Sequence, residues 1–349
     1  MNASDAAILA GDIGGTKTDL VVFSPARGLP DPLAEATFAS RDYSSLQALV
    51  REFLSGIERE VDRAGFGVAG PVVDGKAVIT NLPWAMDEET LARELGLSSV
   101  RLFNDLEAVA AAVPRLGAGD LHPLHCGRAS AQGTIAVIAP GTGLGEAYLV
   151  WDGTRYRAHP SEGGHAGFAP ADAQQAGLLA YLRERFEHVS CERVCSGMGF
   201  PNIFAFLKES GGAEEPQWLT ERLAAAEDPT PVIVAAALDE TRPCRLCREA
   251  LEMFVSILGA EAGNLALKVM ATGGVYLGGG IPRRILPALQ SGLFLKAFRG
   301  KGRMSDLLSE IPIHVILTPK AALLGAAVLA QEAGGHNRLP PPAGREAGC

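Results

Sequence analysis

The sequence lacks several features that would settle its class at once. No stretch approaches the ~20 uninterrupted apolar residues of a membrane span. Its start, MNASDAAILAGDIGG, carries no basic region ahead of its apolar residues and meets Asp5 too early for a secretory leader. No run is rich in Lys or Arg: 40 acidic residues outweigh 31 basic ones, the formal charge is −9 and the pI is near 5.4. Such a surface argues against nucleic-acid and anionic-membrane partners. Cysteine is sparse, six in 349 residues, so the chain is no disulfide scaffold and reduced thiols are the default. Aromatics make up only 6%, yet 47% of the residues are hydrophobic, too many for a disordered chain. The expectation is a cytoplasmic globular protein of one large or two medium domains.

Glycine is what the chain has in excess, 41 residues, about 12% where roughly 7% is ordinary. The glycines are clustered without a period, which points to turns built for close backbone approach. Between the clusters the first 115 residues alternate short apolar runs with helical spacing. Strands are predicted over 8–10, 19–23, 34–40, 65–70 and 100–103, and helices over 44–61 and 106–113. Alternation of this kind predicts an α/β layer architecture. The pattern loosens at PRLGAG, residues 114–119, where a domain boundary is placed. A second α/β unit opens with strand 134–139, a turn at 141–145 and strand 146–151. A long helical region follows to about residue 270, then strands at 272–280 and 311–317 and a helix over 321–331. The tail, 334–349, is rich in Pro and Gly and is expected to be disordered. ILAGDIGGTKTDLVVF and AVIAPGTGLGEAYLVW echo one another as strand, glycine turn, strand, which suggests two topologically similar halves.

Three glycine clusters carry candidate chemistry. In GDIGGT (Gly11, Asp12, Ile13, Gly14, Gly15, Thr16) the bare backbone N–H groups and the Thr16 hydroxyl suit phosphate, and Asp12 suits a water of Mg²⁺. The spacing is neither a Walker A loop nor a dinucleotide fingerprint, because Thr16 precedes Lys17 and a strand follows. A plain hairpin turn accounts for Gly14–Gly15 equally well. PGTGLG offers the same groups from Gly141, Thr142 and Gly143. The third cluster begins at Gly273 and Gly274 and leaves a flat surface for a base and ribose, or serves only strand–helix packing.

In RLFNDL, Asn104 and Glu107 fit a helix-capping arrangement. Asp105 then falls at the carboxyl end of a strand, where open α/β sheets bind ligands, although an acidic residue there also complements the helix dipole. In PSEGGHAGF, Glu162 and His165 have the Glu-x-x-His spacing of a metal half-site, but Gly163–Gly164 argues against a helix, and in a turn the two suit a polyol. Glu192 in SCERV has no local distinction. Cys191/Cys195 and Cys244/Cys247 read as core thiols in preference to a zinc site.

Taken in order, GDIGGTKT, FGVAGPV, TNLPW, LFNDLEA, PGTGLG, EGGHAGFAP, HVSCERVCSG, GGVYLGGGIP and LLGAA run to about residue 330. The set resembles the bacterial glucokinase family of the actin-like ATPase/sugar-kinase superfamily. The resemblance implies an α/β fold of two ribonuclease-H-like domains around a cleft, the second larger and more helical. Residues 1–115 with 318–333 would form the small domain and 116–317 the large one. It implies transfer of the ATP terminal phosphate to the 6-hydroxyl of glucose, with Mg²⁺, in a homodimer. Asp105 would be the base. Asn104, Asp105, Glu162, His165 and Glu192 would hold the sugar, with Asn81 near it. Gly11–Thr16 and Gly141–Gly143 would hold the phosphates, and Gly273–Gly274 would lie near the adenosine. Mannose, fructose, glucosamine or N-acetylmannosamine as substrate, or a non-catalytic sugar-binding regulator, are the other readings. Two positions depart from the family's pattern: Lys17-Thr18-Asp19 after the first turn, and Glu146 after GTGLG, where a small apolar residue is common.

Overall fold

A computed structural model describes residues 6–24, 32–79, 82–211 and 213–333. Asn81 and the tail 334–349 lie outside them. Along the chain come β1 (Ala7–Ile13), β2 (Lys17–Phe23), β3 (Pro32–Ala39), α1 (Leu46–Ser55), β4 (Val61–Val68), β5 (Lys76–Val78) and β6 (Ala85–Asp87). Then follow α2 (Glu88–Leu95), β7 (Ser99–Asn104), α3 (Asp105–Ala112), β8 (Leu121–His125), β9 (Ile135–Pro140), β10 (Leu144–Trp151) and β11 (Tyr156–Ser161). The helical stretch is α4 (Ala173–Arg183), α5 (Gly199–Glu209), α6 (Gln217–Ala224), α7 (Pro229–Leu238) and α8 (Arg245–Val269). The chain ends with β12 (Gly274–Leu277), α9 (Gly280–Arg284), α10 (Leu286–Leu289), α11 (Leu293–Arg299), α12 (Ser305–Ser309), β13 (Ile313–Ile316) and α13 (Ala321–Ala333).

Among the described residues two compact units result, one of residues 6–24, 32–118, 149–160 and 318–333, the other of residues 119–148 and 161–317. Two sheets share a strand order: a five-stranded one, β3-β2-β1-β4-β7, and a six-stranded one, β11-β10-β9-β12-β13 with β8 added at the edge. The predicted internal echo is therefore a repeat of topology. In each sheet the middle strand is an apolar run, AILAGDI or IAVIAP, with a parallel neighbour. Strands covered on both faces read this way, without alternation.

In the first unit, α1 starts on the Ser45 side chain, which accepts the Ala48 N–H at 3.2 Å, and buries Leu46, Leu49, Val50 and Phe53 at helical spacing. It stops at Gly56, six residues earlier than the 44–61 prediction, because the chain must turn there to reach β4. α13 packs in this unit through small residues. A Cβ on Gly325 would overlap the Ala108 carbonyl of α3, and one on Gly65 of β4 would overlap the Ala326 carbonyl. Helix and strand backbones therefore meet without intervening side chains, and α3 is held between them.

The second unit is built around α8. This helix is long and apolar enough by length and composition to cross a membrane, but 78% of its apolar window is buried inside the protein, as befits a core helix. Phe200 of α5 stacks on Phe254 at 4.1 Å, and Phe294 and Phe298 of α11 lie against α8 where Gly259 and Gly263 leave room. Cys191, Cys195, Cys244 and Cys247 are buried free thiols, as expected.

Gly325→Ala should therefore overpack the α3–α13 contact and lower unfolding free energy by about 2 kcal/mol. The check is an equilibrium urea titration, and an unchanged midpoint would contradict this packing account.

Candidate functional site

In the first unit the parallel strands β1, β4 and β7 end in register, Ile13 opposite Val68 and Val68 opposite Asn104. Their carboxyl ends bring Asp12 and Asp105 to one edge of the sheet. Asn104 caps α3: its Oδ1 accepts the Leu106 and Glu107 N–H groups at 3.0 and 3.3 Å, and its Nδ2 donates to the Gly70 carbonyl at 3.2 Å. Burial pushes the Glu107 carboxyl up, while a hydrogen bond from the Asn104 backbone N–H pulls it down, which completes the predicted capping box. Asp105 is the first residue of the helix and half-buried; its Oδ1 accepts the Leu106 N–H at 2.8 Å. Gly67 lies beneath it, its missing Cβ only 3.7 Å from the Asp105 Cα.

Burial, the nearby Asp105 and then Asp19 push the Asp12 carboxyl up to about 6, against the pull of Lys17. Lys17 itself pairs with Asp19 at 2.8 Å, so this departure from the family pattern offsets charge at the same edge. The repulsion among these carboxylates falls on Asp12; among the described residues no group of three or more His, Cys, Asp or Glu side chains is arranged to hold a metal ion. Gly14, Gly15 and Thr16 form the turn, with the Gly14 N–H on the Lys17 carbonyl at 3.0 Å and the Thr16 side exposed. Ser40, which sequence reasoning missed, fixes this turn: its hydroxyl donates to the Gly14 carbonyl at 2.8 Å and meets the Thr18 hydroxyl at 2.9 Å. Gly11 and Ile13 do not belong to the accessible set. Gly11 is wedged against Phe66 and Leu20, and Ile13 is fully buried, because alternate residues of a central strand face the core.

In the second unit the Gly141–Gly143 turn, Glu162, His165 and Glu192 converge. The Glu192 Oε2 accepts the Leu144 N–H at 2.9 Å, and the Gly197 N–H donates to the Gly141 carbonyl at 2.7 Å. His165 stands 3.6 Å from Glu162 and 3.8 Å from Glu192 through opposite ring nitrogens. Residues Gly163–His165 form a single 3-10 turn, so the Glu-x-x-His spacing is not helical here, as the glycines implied. His165 and Glu162 are well exposed, whereas the Glu192 side chain is only 17% exposed and aimed by the Leu144 amide. The exposed Thr142 and half-buried Gly141 and Gly143 leave backbone accessible beside these side chains. Such a set of acceptors around one imidazole fits a ring of hydroxyl donors.

Gly273 and Gly274 are elsewhere. They open β12 at its amino end, packed on Gly133 and Pro312, while the Gly141 turn lies at the carboxyl end of the parallel neighbour β9. The glycines that reach it are Gly278, whose N–H donates to the Ile138 carbonyl, and Gly279, at φ +82° against the Pro140 carbonyl. The two pairs flank one four-residue strand, about 13 Å of chain, and spacing alone did not say which end faces the turn.

These features coincide with a known family. The glucokinase family model matches residues 9–333. A glucokinase of Nostoc punctiforme is 41% identical over 338 residues, spanning 93% of this chain and 98% of that protein. Among solved structures, a glucokinase from an Antarctic psychrotroph superposes with a TM-score of 0.79 at 31% identity, covering 93% of this chain and 99% of the other. One from Balamuthia mandrillaris, in complex with glucose, shares the fold at a TM-score of 0.76 and 20% identity, covering 95% of each. Matched by the family model over residues 9–333 and 41% identical to a relative along nearly the whole of both chains, this chain belongs to the glucokinase family.

Proposed function

We propose that the protein is an ATP-dependent glucokinase of the cytoplasm that phosphorylates the 6-hydroxyl of D-glucose. The observation that carries the reading is the placement of Asp105. It stands at the carboxyl edge of a parallel sheet, on the first turn of α3 and beside Asp12, in a chain 41% identical to a curated glucokinase.

Asn104, Asp105, Glu162, His165 and Glu192 take the sugar hydroxyls as acceptors and donors. Asn104 already spends its Oδ1 on the α3 cap and one amide hydrogen on Gly70, so its remaining N–H is the group that faces sugar. Asp105 accepts the proton of the 6-hydroxyl as that oxygen bonds to the γ-phosphorus and the bond to the bridging oxygen of ADP breaks. Phosphoryl transfer demands orientation of the nucleophile more than early deprotonation, and Asp105 is fixed on the first turn of α3. Backbone N–H groups of Gly15, Thr16, Thr142 and Gly143 hold the phosphate oxygens, since those of Gly14 and Gly141 already donate to the Lys17 and Gly143 carbonyls. Asp12 would hold Mg²⁺ through its water shell, and the ion supplies neutralisation of phosphate charge when bound. Gly278–Gly280 replaces Gly273–Gly274 as the nucleotide-side glycine set.

Asp105→Asn should lower kcat by about 10²–10⁴-fold while glucose affinity stays within a few-fold. A variant that keeps more than about a tenth of wild-type kcat shows that another group is the base. A panel of hexoses with ATP, reported as kcat/KM, is the direct test of the substrate; preference for mannose, fructose or an amino sugar would move the assignment within the same chemistry. The raised Asp12 carboxyl adds a pH signature. Metal binding needs its ionised form, so kcat/KM for MgATP should fall about tenfold per pH unit below about pH 6. A profile flat to pH 5 would remove Asp12 from the nucleotide site.

A further inference from the structure

Glu146 is the second departure from the family pattern, and the second unit places it where it touches the sugar-side turn. It lies on β10 two residues beyond Leu144 and is 1% exposed. Its carboxyl occupies the space that a side chain on Gly163 would fill, with Cδ 2.9 Å from that Cβ position. Its Oε1 has no hydrogen-bond partner among the described residues. From α8 it is faced by Glu261 and Lys268, and the Cys191 thiol is close enough to feel its charge. The cations already have partners: Lys268 stands 3.5 Å from Glu261, and Lys301 donates to the Ala260 carbonyl and to Asn264, which in turn donates to Glu261. On the other side lie Glu162, His165 and, through Leu144, Glu192.

We propose that Glu146 is a positioning residue for the sugar: its carboxyl, seated under Gly163, sets the turn that presents Glu162 and His165. The inference rests on the glucokinase reading above. Burial, with Glu261 beside it, pushes the Glu146 carboxyl up to about 7, against the pull of Lys268. It therefore changes charge across the neutral range. Loss of the proton puts an uncompensated charge in a closed space below a turn that already carries one carboxylate and faces another. A buried charge without a partner is relieved by displacement of its surroundings or entry of water, and here the segment that would be displaced is the Gly163–His165 turn, in which Gly163 is half-buried, Gly164 buried and His165 exposed. Sugar affinity should thus weaken as pH rises, while the phosphoryl-transfer step, which depends on Asp105, changes less.

The test measures glucose affinity by calorimetry without nucleotide, and KM and kcat with saturating MgATP, from pH 6 to 8.5. In the wild-type protein, Kd and KM for glucose should rise three- to tenfold across that range with kcat changing less than twofold. Glu146→Gln, equal in shape and without charge, should hold the low-pH affinity throughout, which separates Glu146 from the other ionisable groups at the turn. A Gln variant with the wild-type pH profile, or a wild-type affinity that does not vary with pH, overturns the proposal while leaving the glucokinase reading intact. A wild-type protein that neither binds nor phosphorylates glucose overturns both. Should the Gln variant fail to fold, Gly163→Ala presses a methyl group against the same carboxyl; it should raise glucose KM at least fivefold at pH 6.5, and an unchanged KM overturns the proposal.

Discussion

The main chain of Leu144 organises the second unit's candidate residues. Its N–H aims Glu192, its carbonyl lies where a side chain on Gly164 would be, and two residues on, the Glu146 carboxyl fills the corresponding space at Gly163. Glu192 is 48 residues from its partner amide, so the chain between them, β10, β11 and α4, must be in place before the carboxylate has a direction. A single strand start thereby ties the glycine turn to Glu162, His165 and Glu192. The turn can hold phosphate only through backbone N–H groups that remain free, and Leu144 is the residue at which the backbone stops serving the turn and begins to serve the side chains.

The first unit solves the same problem by close packing. Its carboxylates are held by backbone against backbone: Gly67 under Asp105, Gly325 against the Ala108 carbonyl, Gly65 against the Ala326 carbonyl. Packing without intervening side chains leaves α3 little freedom to rock, because any shift meets main-chain atoms of α13 or β4. The cap on Asn104 adds direction, since it fixes the first turn of the helix on which Asp105 stands. The consequence is electrostatic as well. Holding Asp12, Asp19 and Asp105 at one sheet edge raises the energy of their shared charge, and the Asp12 carboxyl is the one pushed up by it.

The elements with strong local signals were legible in the sequence. The central strands announced themselves as apolar runs, α1 by its Ser start and helical spacing, and α3 by its Asn-x-x-Glu cap. β5, β6, α2, β8 and β11 were missed, being short or half-exposed, so their patterns do not rise above the background of loops. α1 was drawn too long because Val61 and its neighbours continue the apolar count, although they belong to β4. Residues whose role depends on distant partners were read poorly: Ser40 has no motif, and Glu192 looks like any surface glutamate until the Leu144 amide is placed beside it.

What the sequence determined by itself is therefore the chemistry available and its order: glycine turns after apolar strands, an aspartate just inside a capped helix, a Glu-Gly-Gly-His turn, and the repeat that makes two like halves. These are local properties, set by which side chains are present or absent within a few residues of one another. Which end of β12 adjoins the Gly141 turn, which of Gly11–Thr16 reach the surface, and that Glu146 points under Gly163 in place of the phosphate turn were decided only by the tertiary structure. Each of those depends on strand register and on helices packing from far along the chain, and register is a property of pairs of segments that neither segment carries alone.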